Sequence, residues 1–348
     1  MIVYIAKRLL LMLPTLLGVL TITFVVMQFV PGGPVDQLVA ETRAAQRGEG
    51  GGAGAGYRGR RDLDAKQIEE IKKLYGFDKP PLTRYFEMLG NFARFDLGRS
   101  FMQNKDVWSL IKEKLPVSIS LGLWTFLLSY LISIPLGIGK AMREGSRFDT
   151  ATTLLVLVGY AIPGFVLGVF LIVLFAGGTF LDWFPLRGLV SDNWAELSWP
   201  ARIADYFWHL TLPLICITIG NFAVLTMLTK NTFVEEIRKQ YVLVARAKGL
   251  AERSVLYKHI FRNALIPIVT GFPAAFVGAF FAGSLLIETL FSLDGLGLLS
   301  YESVIRRDYP VVLGSLYLFT LIGLVVKLVS DLLYVAVDPR VQFGSAAR

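Results

Sequence analysis

From Val117 to Gly139 the chain reads VSISLGLWTFLLSYLISIPLGIG, twenty-three residues without a charge. A bilayer has a hydrocarbon core about 30 Å thick, which takes roughly 20 residues of α-helix to cross. This run is long enough to span, and outward from it lie five others of similar character. They are Leu9 to Val30, Thr150 to Ala176, Trp208 to Thr229, Ala264 to Ile287 and Val311 to Val337. Pro14, Pro135, Pro163 with Gly164, Pro213, Pro267 and Pro273 fall inside them. Such breakers are tolerated in membrane helices, where neighbouring helices re-satisfy the freed backbone groups. Composition agrees with lipid as the solvent: 54% of the 348 residues are hydrophobic and 18% charged, against about a quarter charged in a soluble domain. The expected fold is all-α and integral to the membrane, with six transmembrane helices.

The first run follows Lys7 and Arg8, as a secretory signal would, but it is 22 residues long and ends in Pro31, Gly32, Gly33 and Pro34 without a small-x-small cleavage pattern. It reads as a retained helix. Six spans put both termini on one side. The segments of that side, which are the N-terminus, residues 140–149, residues 230–263 and the tail, hold fifteen basic and six acidic residues. The short loops opposite, 177–207 and 288–310, hold only Arg187, Arg202, Arg306 and Arg307 as basic residues. The positive-inside rule makes the termini cytoplasmic. The formal charge of +8 is thereby a topology signal, the bilayer is the implied partner, and nucleic acid is not.

Four regions follow: 1–30, a cytoplasmic N-terminus and first helix; 31–116, an outer segment; 117–337, a five-helix transmembrane domain; and 338–348, a cytoplasmic tail. Within the outer segment, Gly48 to Gly56 is six glycines with two alanines and a glutamate, a composition that makes a flexible tether. Beyond it Ile68, Ile71, Leu74 and Tyr75 recur at helical spacing, with Asp64 placed to cap and Gly76 to end the helix. A second stripe, Leu82, Tyr85, Phe86, Leu89, Phe92 and Phe95, follows Pro80 and Pro81. The two predict a small helical cap on the outer membrane surface or on a partner, or a hairpin packed on itself.

Reactive constellations are missing from the sequence. Gly54 to Arg61 has glycines at phosphate-loop spacing but neither the lysine nor the hydroxyl that the phosphates and magnesium require. Cys216 is the one cysteine, which excludes an internal disulfide and a cysteine-built metal site. His209 and His259, the only histidines, fall at opposite ends of the map and cannot pair on a metal; His209, beside Trp208, reads as interfacial. Ser284 lacks the Gly-x-Ser-x-Gly frame. The expectation is a non-catalytic chain that binds no cofactor.

The cytoplasmic segment 230–263 is more informative. Asn231 is placed to begin a helix with Glu235 and Glu236 in its first turns, continuing through Arg238, Tyr241, Val242, Val244 and Ala245 to Gly249. A second helix resumes near Glu252 and runs through Val255, Leu256, His259 and Ile260 toward Pro267. Two helices around a glycine elbow can press on a soluble partner; a solvated loop on anionic lipid is the simpler alternative.

Val244, Ala245, Arg246, Ala247, Lys248, Gly249 and Leu250, then His259, Arg262, Asn263, Ala264, Leu265, Ile266 and Pro267, resemble the coupling loop of permease subunits in ABC importers of dipeptides and oligopeptides. Leu243 and Val244 stand where the generic importer signature begins Glu-Ala. The likeness extends along the chain: Arg8 to Leu10, Pro31 to Pro34, Leu74 to Pro80, Asp96 to Gly98, Leu115 to Ser118, Ile134 to Gly137, Arg307 to Pro310, Asp331, Tyr334 and Asp338 to Arg340. The first span and long outer segment look like the B-type permease, and the glycine tether and Leu225 to Phe233 most resemble the Yej-type importer of oligopeptides and microcin C. The resemblance implies a type I importer fold and alternating access. It also implies a second homologous permease, a periplasmic peptide-binding protein, and an ATPase with two nucleotide-binding domains in one polypeptide, where ATP and magnesium bind. It gives Tyr241, Val244, Ala245, Arg246, Ala247, Lys248, Gly249 and Leu250 as ATPase-coupling residues.

For the pathway the sequence offers candidates only. Lys327 and Asp331 stand four apart within the sixth run, where ionisable residues are costly; they can pair with each other, or Lys327 can snorkel to the headgroups. Glu288 with Asp294, Gly295, Leu296 and Gly297 shapes either an outer mouth or a structural turn. Asn221 and Gln28 are suited to bonding a neighbouring helix. A secondary peptide transporter or channel working alone is the competing function, and it would leave the coupling loop without a purpose.

Overall fold

The computed structural model describes residues 2–30, 77–178, 180–281 and 285–337. The glycine tether, the Ile68 to Tyr75 stripe, the Gly54 to Arg61 stretch, Ser284 and the tail from Asp338 lie outside them. The regular structure of the described residues is helical, with one isolated β-bridge between Arg99 and Asp106. We label the helices α1 (Ile2–Phe29), α2 (Pro81–Ala93), α3 (Val107–Met142), α4 (Arg147–Ala161), α5 (Gly164–Phe175), α6 (Trp199–Ile237), α7 (Gln240–Ala247), α8 (Glu252–Ala264), α9 (Ile266–Phe281), α10 (Leu285–Leu290), α11 (Leu296–Ile305) and α12 (Tyr309–Val337).

Among the described residues four helices are long and apolar enough to cross a bilayer: α1, α3, α6 and α12. The other two apolar runs are bent. The run expected as a third straight span breaks by 92° between α4 and α5. Pro163 clashes with a helical residue before it, and Ile162 accordingly turns extended, at φ −87° and ψ 117°. The fifth run, Ala264 to Ile287, is carried by α9 and the start of α10, and at its beginning α9 meets the preceding α8 at a bend of 50°. Counting each bent pair as one span gives six. Helix α3 has 36 residues and α6 has 39, or about 54 and 58 Å at 1.5 Å per residue, so both outrun the apolar stretches that identified them.

Two compact units make up the chain. One comprises Ala6–Glu113 and Leu299–Leu321. In it α2 lies on α1 and the start of α12. The Tyr85 and Thr21 hydroxyls meet at 2.6 Å, Arg84 donates to the Gln28 side-chain oxygen at 2.8 Å, and Phe92 stacks on Tyr317 with ring centres 5.2 Å apart. The apolar stripe therefore divides: Phe92 is buried, Tyr85 and Leu89 half-buried, and Leu82 and Phe86 exposed. Asp308 accepts from the Ser100 hydroxyl and the Phe101 N–H; burial raises its carboxyl above the ordinary range against the pull of those donors.

The other unit comprises Met1–Ile5, Lys114–Leu298 and Ile322–Arg348. Its core joins Val117 and Leu121 of α3, Leu210, Leu214 and Cys216 of α6, and Ile287 with Phe291. His209, expected at the interface, is buried in this unit, with Nδ1 2.9 Å from the Asp205 carbonyl oxygen one turn back. Exposed Trp183 and Trp199, with Arg202 stacked on Trp194 and Trp199, give residues 180–208 the aromatic character of a membrane–water interface.

Candidate coupling surface and central cavity

Helix α6 runs unbroken through Asn231, the residue whose side chain suggested a helix start, because no proline or glycine lies between Asn221 and Asn231 to end it. Glu235 and Glu236 consequently lie in its last turn, where a carboxylate opposes the helix dipole. Glu236 is compensated by neighbours: it accepts from Lys239 Nζ at 2.6 Å and from the Tyr241 hydroxyl at 2.5 Å. The Asn263 side chain donates to that hydroxyl at 3.2 Å. Tyr241 thereby latches the end of α6 and the start of α7 to the end of α8. Burial, and then the hydrogen bond to Glu236, push the Tyr241 phenol up to about 12, and the same carboxylate raises the Lys239 ammonium.

The two faces of α7 differ. Val242 and Ala245, three apart and so on one side, are buried with Ala141, Phe233, Val255, Ile260 and Ala264. Leu243 and Val244 are 57% and 53% exposed, and Ala247 and Lys248 are exposed beside them. Gly249 closes the helix at φ +76°, in the left-handed region that glycine occupies without strain. Beyond the elbow Leu250 and Tyr257 are exposed, and Arg246 donates to Glu252 at 3.1 Å. Of the eight residues named for coupling, Val244, Ala247, Lys248, Gly249 and Leu250 face outward. Tyr241 and Ala245 face inward, and Leu243, which the sequence reading treated only as a departure from the signature, joins the outer face. The middle of α8, Val255–Ile260, is π-helical, a rare form that is frequent at functional sites.

Just above this surface is a charge cluster that the sequence reading missed. Lys140 of α3 is fully buried, 3.1 Å from Asp149, and donates to the Thr152 and Thr153 hydroxyls at 2.9 and 2.6 Å. Lys230 of α6 lies 2.7 Å from the other Asp149 oxygen. One carboxylate thus joins three helices. A signal was present: Ser146 caps α4 by accepting the Asp149 N–H at 3.2 Å, and the Ser-x-x-Asp pattern marks such a start.

The pathway candidates come together differently from one another. Glu288 is 2% exposed and accepts the Leu298 N–H at 2.7 Å. Gly295 and Gly297 press against it, and a Cβ on Gly295 would lie 2.6 Å from the Glu288 carboxyl carbon. These three form a packed turn around a buried carboxylate, while Asp294 is exposed and pairs with Lys114. Asp331 accepts the Tyr4 hydroxyl at 2.9 Å, and Lys327 is exposed on α12.

Between α3, α6 and α9 is a cavity of about 710 Å³, and no charged residue is among the described residues that line it. Phe126, Val224, Leu228 and Gly271 contribute apolar wall; Thr125, Ser129, Tyr130 and Asn221 contribute neutral polar groups. Among the described residues no group of three or more His, Cys, Asp and Glu is placed to hold a metal ion.

Residues 133–343 match the family described as "Binding-protein-dependent transport system inner membrane component". The "Peptidoglycan transport system permease protein YejB" of Agrobacterium fabrum is 56% identical, and the "Inner membrane ABC transporter permease protein YejB" of Escherichia coli O157:H7 is 53% identical; each alignment covers 98% of both chains. The "Oligopeptide transport system permease protein AppB" of Bacillus subtilis is 33% identical over 98% of this chain and 99% of its own. Six apolar runs, a helical elbow between two of them and these full-length likenesses agree: the chain belongs to the binding-protein-dependent transport family and has its all-helical membrane permease fold.

Proposed function

We propose that the chain is the translocation subunit of an ATP-driven peptide importer in a bacterial inner membrane, with both termini in the cytoplasm. The names of its relatives, which specify peptidoglycan, oligopeptide and di/tripeptide transport, support a peptide cargo; a microcin C-like peptide-nucleotide is a further cargo that the sequence resemblance alone suggests. A periplasmic binding protein delivers the cargo, a second homologous permease completes the pathway, and an ATPase with two nucleotide-binding domains in one chain hydrolyses ATP. The observation that carries this reading is the two-faced α7. Its inner face is locked into the protein's own core, and its outer face offers Leu243 and Val244 beside the Gly249 elbow. Exposed apolar side chains on a rigid mount suit a protein groove better than solvent. Val244, Ala247, Lys248 and Leu250 with Leu243 make the contact; Tyr241 and Ala245 set its orientation.

In a co-expressed transporter, Leu243→Glu and Val244→Glu should each strip the ATPase from the purified complex and abolish binding-protein-stimulated hydrolysis. The permease itself should remain folded, because neither side chain is part of the core. Retention of a stoichiometric ATPase and normal transport in both variants would refute the docking face.

A further inference from the structure

Thr125 and Ser129 stand four residues apart on α3 and so share a face. They are 1% and 4% exposed and line the central cavity, and neither hydroxyl has a hydrogen-bond partner among the described residues. Some hydroxyls in these helices bond the preceding turn, as Ser120 does to the Pro116 carbonyl at 2.6 Å and Thr229 to the Leu225 carbonyl at 2.8 Å. Thr125 and Ser129 do not take that route. Thr218 and Thr226 of α6 also lack a partner among the described residues, but only Thr125 and Ser129 of these four line the cavity. Burying a hydroxyl without a partner destabilises the fold, so packing alone gives no reason to keep two at the cavity wall. Tyr130 stands next to Ser129, and Asn221 of α6 also reaches the cavity.

We propose that this ledge of neutral polar groups is a transit site that holds the backbone amides of an extended peptide on its way through the membrane. The proposal rests on the peptide-importer reading. Hydroxyls and a carboxamide each donate and accept, so they match peptide N–H and C=O groups whatever the side chains are. The uncharged lining means that no ion pair selects a cargo by charge or traps it. Apolar walls accept the side chains, and the volume is that of a site enclosing a few residues at a time. Other occupants fit less well. A lipid acyl chain leaves the hydroxyls unpaired, and a helix of the second permease satisfies its own backbone groups and has none to offer.

The test uses the complete reconstituted transporter and an alanine-rich hexapeptide with a central benzoylphenylalanine, held in the ATP-bound complex and irradiated. The expected crosslinks fall on 125–130 of α3 or 217–228 of α6 and are displaced by unlabelled peptide. The near-isosteric double substitution Thr125→Val with Ser129→Ala should lower both crosslinking and uptake about tenfold, the scale of one lost hydrogen bond pair. N-methylation of the peptide amides should slow wild-type uptake and have little further effect in the double variant. Exchange of a central Lys for Glu in the peptide should matter equally little in both. Crosslinks confined to lipid or to the second permease, with ATP-driven uptake intact, overturn the ledge alone, and so does a double variant that transports at the wild-type rate. Loss of ATP-driven peptide uptake by the wild-type complex removes the importer reading beneath it.

Discussion

Tyr241 shows how one hydroxyl can hold a working surface in place. It joins the end of α6, through Glu236, to Asn263 at the end of α8. Tyr241→Phe removes that junction and leaves buried Glu236 with one fewer donor, at a cost of about 1 kcal/mol. We expect lower coupling with the ATPase still bound, read as reduced transport per ATP hydrolysed. The phenol's value rises from 10 when free to about 12 in place. The folded chain therefore holds this proton more tightly than the unfolded chain does. Its stabilising contribution is complete below about pH 10 and is lost as pH climbs toward 12. Thermal melts of wild type and Tyr241→Phe should converge over that window. The sequence named Tyr241 but not its direction; helical period explains why Ala245 is on the same inward side. Thr125 and Ser129 were illegible, because in a string of letters an unpartnered hydroxyl looks like a satisfied one.

Among elements, the apolar runs were legible because hydropathy reports where the solvent is lipid. Helix ends were not, because a helix stops where its backbone hydrogen bonds stop. Residues 199–207 and 230–237 are polar enough to leave the membrane yet contain nothing that ends a helix, so α6 extends beyond Trp208 and Thr229 on both sides. The reverse holds at Pro163, where an uninterrupted apolar run conceals a sharp break. Lys140, Asp149 and Lys230 were counted only as topology charges, although they fasten α3, α4 and α6 together. Asp149→Ala leaves a fully buried Lys140 without its counter-ion and should cost about 3–5 kcal/mol, seen as a lower melting temperature in detergent. Because an asparagine keeps hydrogen-bond acceptance without the charge, Asp149→Asn should fall between.

For the whole molecule, placement in the membrane is what sequence charge predicts, and labelling tests it. In a Cys216→Ser background, Tyr257→Cys should react with an impermeant maleimide only from the cytoplasm and Asp192→Cys only from outside; both positions are exposed. The reverse pattern would invert the topology and separate α7 from any cytoplasmic ATPase. If the orientation holds, the length of α6 acquires a mechanical meaning. Its 39 residues run from the outer aromatic loop to the base of α7 without interruption, with Asn221 near the middle. Pivoted at its outer end, a rod of about 58 Å tilted by about 10° swings its inner tip roughly 10 Å, and Asn221 about half as far. The helix is then a lever that exchanges stroke for force: a long push where the partner acts arrives at the cavity as a shorter and stronger squeeze.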